Sequence, residues 1–335
     1  MDNNNSKKKA VRYHILNKIK KIVVTGGSGF VGKPLIKFLL KKQFQVIALK
    51  HNSSFDDIQD PNFFVEDIKH VLNNKVTILK NAFALVHLAA KTHGRLDDNK
   101  KNFSEYQRIN VELTEKICCL SIANNIKKII YLSSIKASGQ CSPIEGFRED
   151  DITNPSDVYG KSKLAAEQLI ENLCRKTNTD YIILRSPLVL GPNAKGNLNL
   201  LKKLIDLELP LPLRKINNKR SLIYIDNLIN AITTCINNNT NSRMYLISDN
   251  DTISTPNLIS KIAEAMDKKV IIFNFPIFLL RWFAILLRQT SKFERLNNNL
   301  VINNNKFKED YNWSPPFSLD NGIIKSFKTH RGKKS

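Results

Sequence analysis

The sequence predicts a doubly wound α/β fold with a smaller α/β region at its C-terminal end, and three observations carry that prediction. Between residue 21 and about residue 185, short β-branched runs alternate with longer amphipathic segments, the pattern of a parallel sheet covered by helices. A glycine-rich turn separates the first run from the first helical segment. Beyond Pro187 the alternation loosens into Pro- and Asn-rich loops with short helices, which suits a substrate-binding region folded over the first.

Ile22-Val23-Val24 reads as the first strand, Gln45-Val46-Ile47-Ala48-Leu49 as the second, and the stretch 62–65 as the third. Ala84-Leu85-Val86-His87-Leu88 supplies the fourth, Lys128-Ile129-Ile130-Tyr131-Leu132 the fifth and Tyr181-Ile182-Ile183-Leu184-Arg185 the sixth. Helices are expected over 32–42 and 158–176, and the asparagine clusters near Asn237, Asn297 and Asn303 read as turns or loops. The expected organisation is a basic arm (1–20), a sheet domain (21–187) and a second region (188–335) that interleaves in part with the sheet domain. In such a sheet the ligand crevice lies at the carboxyl ends of the strands.

The segment Thr25-Gly26-Gly27-Ser28-Gly29-Phe30-Val31-Gly32 follows a strand and opens a helix. Glycines at 26, 29 and 32 permit a tight turn, close approach of the backbone to a pyrophosphate and close packing of helix on strand, with the helix N-terminus facing the anion. Strand, turn and helix agree, so Gly26, Ser28, Gly29, Phe30, Val31 and Gly32 are read as a Rossmann-type dinucleotide site. An acidic residue at the end of the second strand would bond the adenosine ribose, whereas a basic one accommodates a 2′-phosphate. Lys50 and His51 stand there and no carboxylate follows before Asp56, which favours NADP(H) over NAD(H).

Tyr159-Gly160-Lys161-Ser162-Lys163 sets Tyr159 and Lys163 four residues apart, on one face of a helix. An ammonium beside a phenol favours phenolate and lowers the tyrosine pKa, which would make Tyr159 a proton donor and acceptor at a carbinol carbon. The pair follows the glycine turn by about 130 residues and comes after a fifth strand that runs into Ser133-Ser134.

Together these motifs make residues 21–327 resemble the extended short-chain dehydrogenase/reductase family, specifically its nucleotide-sugar epimerases, dehydratases and reductases. The resemblance implies Ser134, Tyr159 and Lys163 as the catalytic set, with Lys163 also binding cofactor ribose. It implies Asp67 and its neighbour Ile68, then Leu88, Ala89 and Ala90, then Asn110 and Pro187, as further cofactor-site positions. Asn197, Leu198, Arg220 and Arg295 match positions that hold the nucleotide diphosphate. Leu188 stands where many members carry a sugar-contacting asparagine, and Ser133-Ser134-Ile135-Lys136 lacks the acidic pair that dehydratases use for elimination. Both departures are similar to a bacterial branch of 4-epimerase-like proteins and 4-keto-reductases that serve O-antigen and other surface polysaccharides. Two outcomes at sugar C4 stay open: epimerisation with retained NAD, or reduction with NADPH drawn from solution. A dehydratase, or a non-catalytic NADP-binding sensor or scaffold, are the further alternatives. A homodimer is implied by the same resemblance.

Composition bounds the rest. Lys and Arg number 52 against 30 Asp and Glu, a formal net charge of +22 that suits an anionic partner such as a phosphorylated small molecule or a membrane surface. The basic residues are spread through the chain without a recognition motif, which argues against nucleic acid. Five cysteines show neither a CxxC pair nor a zinc-ligand spacing, so no metal site is expected and a reducing cytoplasm is the simplest setting. The basic stretch 7–21 lacks the apolar core of a secretory signal. Residues 277–287 are apolar apart from Arg281 but too short to span a bilayer, for which about 20 residues are needed. A helix packed inside the second region is expected there, ahead of peripheral membrane contact.

Overall fold

Alternation along the first strand already divides the core in two. In β1 (Lys21–Thr25), Ile22 and Val24 face one apolar cluster and Val23 the other, because successive side chains of a strand point to opposite faces. Both faces are thus covered, as a parallel sheet requires. The computed structural model describes residues 19–51, 54–73, 77–92, 99–194, 196–238 and 242–328. Most of the basic arm lies outside the described residues.

The chain continues through α1 (Gly32–Lys41), β2 (Gln45–Lys50), β3 (Phe63–Asp67), α2 (Ile68–Asn73) and β4 (Ala84–His87). Next come α3 (Asn99–Tyr106), a π-helical turn (Gln107–Glu112), α4 (Leu113–Ala123), β5 (Lys128–Ser134), α5 (Val158–Cys174) and β6 (Asp180–Ser186). The remainder holds β7 (Leu188–Leu190), α6 (Asn197–Asp206), β8 (Arg220–Tyr224), α7 (Ile225–Asn237), β9 (Arg243–Leu246) and β10 (Thr252–Ile253). Five helices close the described chain: α8 (Thr255–Ala265), α9 (Ile277–Leu286), α10 (Thr290–Asn297), α11 (Asn305–Tyr311) and α12 (Leu319–Phe327).

Seven parallel strands form the main sheet in the order β3-β2-β1-β4-β5-β6-β9. The chain winds outward from β1 to β3 and then returns to place β4 on the other side of β1, so the order reverses between β1 and β4. The crevice of a doubly wound sheet opens at that switch point. A smaller sheet, β10-β8-β7, pairs β7 with β8 in parallel and β10 with β8 antiparallel. β9 follows Pro187 by a long stretch of sequence yet completes the main sheet beside β6.

Three details differ from the sequence expectation. The third strand starts one residue later and runs on to Asp67, and the fourth stops at His87. Asn237 and Asn297 close helices α7 and α10. The largest difference is α9. Expected to be packed, it has no buried residue, and Phe278, Trp282, Phe283, Ile285 and Leu286 are exposed. Its neighbours cover it only in part: Ile277, Leu279, Leu280 and Ala284 are half-buried.

Candidate active site

The glycine turn sits at the switch point. Gly26 has φ +67°, and a Cβ there would lie 2.7 Å from the Ala89 nitrogen, so the turn after β1 and the segment after β4 touch backbone to backbone. A Cβ on Gly32 would lie 2.2 Å from the Gly26 carbonyl oxygen, which lets α1 start against the turn itself. The Gly29 N–H donates to the Gly26 carbonyl at 3.0 Å, and Ser28 and Gly29 face solvent while Phe30 and Val31 pack on the core. This cradle, roofed by the N-terminus of a ten-residue helix, fits the pyrophosphate of a dinucleotide. Its floor is a polar chain that the sequence reading missed. His87 Nδ1 lies 2.6 Å from Thr25 Oγ1 and its Nε2 2.9 Å from Thr114 Oγ1, while the Ala89 N–H donates to the Thr25 hydroxyl. Full burial, together with the Lys163 charge, pushes the imidazole down to about 3, so His87 stays neutral and ties β1 to β4.

At the outer edge of the crevice, half-buried Lys50 ends β2 in register with Asp67, the last residue of β3. One Asp67 carboxylate oxygen accepts from the Lys69 and His70 N–H groups at 2.8 and 3.2 Å and so caps α2, which also holds its pKa below the usual range. Ile68 behind it is buried, as is Pro187 after β6; Leu88, Ala89 and Ala90 are half-buried along the segment after β4. Asn110 is buried on the π-helical turn. Its side chain accepts from the Lys91 N–H at 2.8 Å and donates to the Lys91 carbonyl and to the Ser162 hydroxyl at 3.1 and 2.9 Å. Ser162 in turn donates to the Tyr159 carbonyl at 2.8 Å, so Asn110 fixes the first turn of α5 to the loop after β4.

Ser134 and Tyr159 meet because β5 and α5 are held close. A Cβ on Gly160 would lie 2.4 Å from the Lys136 carbonyl oxygen, so only glycine lets the first turn of α5 rest on the turn that follows β5. Asp157 caps α5 by accepting from the Gly160 N–H at 2.7 Å and pairs with Lys136 at 2.7 Å; the Lys136 ammonium stands 5.7 Å from the centre of the Tyr159 ring. The Ser134 hydroxyl is near enough to the Tyr159 phenol to lower its pKa, but burial outweighs it, and Asp157 and Tyr106 add to the rise, to about 12.

The expectation that Lys163 lowers the Tyr159 pKa is therefore not met. Lys163 does share a helical face with Tyr159, but it is buried, donates to the Leu132 carbonyl at 2.7 Å and lies 4.0 Å over the Tyr131 ring. Burial pushes its ammonium down to about 7 against the opposing pull of Glu167. Four-residue spacing fixes the face; the direction of a long, flexible side chain is chosen by the partners around it. Asp157 went unnoticed in the sequence, although an aspartate three residues before Gly160 is a helix-start signal, and Lys136 was read there only as a missing acidic residue.

On the far rim Arg220 begins β8, and its guanidinium donates to the Arg295 carbonyl at 2.7 Å. Burial and the neighbouring Arg295 charge lower the Arg220 pKa. Arg295 also influences Asp157, so α10 and the start of α5 border one space. Leu198 is buried in α6, whose first residue is Asn197, and Leu188 is exposed. Among the described residues no cluster of His, Cys, Asp or Glu could hold a metal ion.

Residues 22–248 match the model of the NAD dependent epimerase/dehydratase family. A UDP-glucose 4-epimerase of Vibrio cholerae is 32% identical over 309 residues, covering 91% of this chain and 93% of its own length. The dTDP-4-dehydro-6-deoxyglucose reductase of Escherichia coli is 24% identical, with 93% and 98% covered. A UDP-glucuronic acid 4-epimerase from Bacillus cereus, solved in complex with NAD, superposes with a TM-score of 0.73 at 21% identity, over 92% of this chain and 97% of that one. On the strength of the family match and the Vibrio relative, this chain belongs to the NAD-dependent epimerase/dehydratase family.

Proposed function

We propose that this protein is an NAD-dependent 4-epimerase of a UDP-linked hexose or N-acetylhexosamine, serving surface-polysaccharide precursor synthesis. What supports the reading is the nearness of Ser134 to the Tyr159 phenol at the same carboxyl end of the sheet as the glycine turn, with the Arg220–Arg295 pair on the rim. The preference for NADP(H) drawn from Lys50 finds no support among the relatives, of which the Bacillus cereus protein is an NAD complex, and we assign NAD(H). Gly26, Gly29 and Gly32 would hold the pyrophosphate and Lys163 the nicotinamide ribose. When bound, the nicotinamide supplies hydride transfer at sugar C4.

The chain's own groups do the rest. Tyr159 gives a proton to the C4 oxygen or takes one from it. With a pKa near 12 the phenol of the cofactor-free protein is protonated; it must release that proton, as nearby Ser134 favours, before it can take the C4 hydroxyl proton in the oxidative half, and it returns that proton to the C4 oxygen in the reductive half. Ser134 also orients that oxygen, and Arg220 and Arg295 hold the diphosphate so that the sugar can turn about it. A homodimer is the expected assembly.

The test incubates the purified protein with UDP-N-acetylglucosamine or UDP-glucose and follows both the products and reduced nicotinamide. Appearance of the C4 epimer without net NADH supports the proposal. If turnover occurs only with a 4-keto sugar and consumes NADPH, the protein is a reductase and the proposal falls.

A further inference from the structure

Helix α9 breaks the rule that large apolar side chains find cover. All its residues but Arg281 are apolar, yet Phe278 is 71% exposed, Trp282 56% and Leu286 63%. They are not scattered. Phe278, Arg281, Trp282, Ile285 and Leu286 fall at i, i+3, i+4, i+7 and i+8, one continuous outer face, while half-buried Ile277, Leu280 and Ala284 form the inner face. A patch of this kind on a folded surface marks a place where something else docks.

Two observations choose the occupant. From Lys268 to Phe293 the sequence contains no Asp or Glu, whereas Lys268, Lys269, Arg281, Arg288 and Lys292 are cationic, in a chain of net charge +22. A second copy seated on this face by a two-fold axis would bring Arg281 and Arg288 of both copies into one interface, with no carboxylate in the segment to answer them. An anionic surface answers them directly. The helix is also short: ten residues reach about 15 Å at 1.5 Å each. No helix among the described residues is long and apolar enough to cross a membrane, so α9 would lie along a surface. The exposed Ile271 and Phe273 precede it on a strand-like stretch bonded to Leu211.

We propose that α9 is a membrane-docking helix that lies in the headgroup layer of an anionic phospholipid bilayer. Phe278, Trp282, Ile285 and Leu286 enter the acyl boundary, and Arg281 and Arg288 meet lipid phosphates. Because α10 follows at once and its Arg295 carbonyl holds Arg220, docking brings the diphosphate-binding rim close to the bilayer. The inference does not depend on which reaction the site performs.

The chain contains two tryptophans, Trp282 on the exposed face and Trp313 in the core, so a vesicle-induced fluorescence change reports the first. The full-length protein is mixed with vesicles of phosphatidylcholine alone and of phosphatidylcholine with phosphatidylglycerol, then sedimented. Expected are co-sedimentation and a blue shift with the anionic vesicles, both weakened by salt. A Phe278→Glu/Leu286→Glu variant should lose at least tenfold in vesicle affinity while keeping its circular dichroism and its turnover of soluble substrate. Trp282→Phe should abolish the shift and keep sedimentation. Failure of the wild-type protein to sediment with anionic vesicles overturns the proposal. So does a double variant that binds vesicles as well as wild type, or one whose only change is a loss of self-association in gel filtration.

Discussion

Glu167 of α5 and Arg185 of β6 form a buried ion pair, 2.6 Å between Oε2 and Nη2, directly beneath the strand end that carries Ser134. Arg185 Nε reaches both carboxylate oxygens at 3.1 Å, its Nη1 donates to the Ser138 hydroxyl at 3.0 Å, and the Ser133 hydroxyl donates to Glu167. The pair thus clamps both sides of Ser134 from below. Removing one partner leaves the other charge buried alone. Glu167→Ala should cost about 3–5 kcal/mol in denaturant unfolding, whereas replacing both residues by apolar ones of similar volume should cost far less. Equal losses in the single and double variants would contradict the clamp.

Tyr159→Phe removes the phenolic oxygen and little else. Turnover should fall by about 10²–10⁴ while the cofactor dissociation constant changes less than about threefold. Calorimetric titration with NAD beside initial-rate assays separates the two, and an active variant would remove Tyr159 from the mechanism.

Gly26→Ala puts a methyl group 2.7 Å from the Ala89 backbone nitrogen at a φ of +67°. Strain and clash act together at the cradle, so NAD affinity should drop at least about tenfold and stability by roughly 1–3 kcal/mol. Gly139→Ala is the comparison, since its Cβ would meet only the edge of the Phe147 ring at 3.0 Å. Measured NAD affinity should stay near wild type in that variant.

The buried Lys163 ammonium, pushed down to about 7 from its ordinary 10.5, makes stability depend on pH. Between those values the unfolded chain binds this proton and the folded chain does not, so the contribution makes stability rise with pH across that window. Lys163→Met lacks it. In cofactor-free protein, the melting temperature of wild type minus that of Lys163→Met should therefore grow more positive from pH 7 to about pH 10. Parallel curves would mean that the ammonium is not desolvated.

Arg220→Lys keeps a charge but loses the planar fork and its bond to the Arg295 carbonyl. The substrate KM should rise about tenfold or more with kcat changed less, as expected for lost ground-state binding of the diphosphate. A fall in kcat at constant KM would assign Arg220 to the chemical step instead.

Local pattern was enough to write down the strands, the glycine turn and the Tyr159–Lys163 helix, because each depends on spacing within a few residues. Three things were beyond it. Lys163 turned to the Leu132 carbonyl, and Tyr159 was raised by burial, since both outcomes depend on what surrounds a side chain. The union of Ser134 with Tyr159, and of Arg220 with Arg295 across 75 residues, required the sheet order and the placement of α10. The uncovered face of α9 was invisible for the same reason: periodicity tells which residues share a face, and only tertiary packing decides whether that face meets the core or the outside. The sequence by itself thus determined the elements and their chemical types. The fold decided proximity, burial and exposure, because these are set by the positions of residues far apart along the chain.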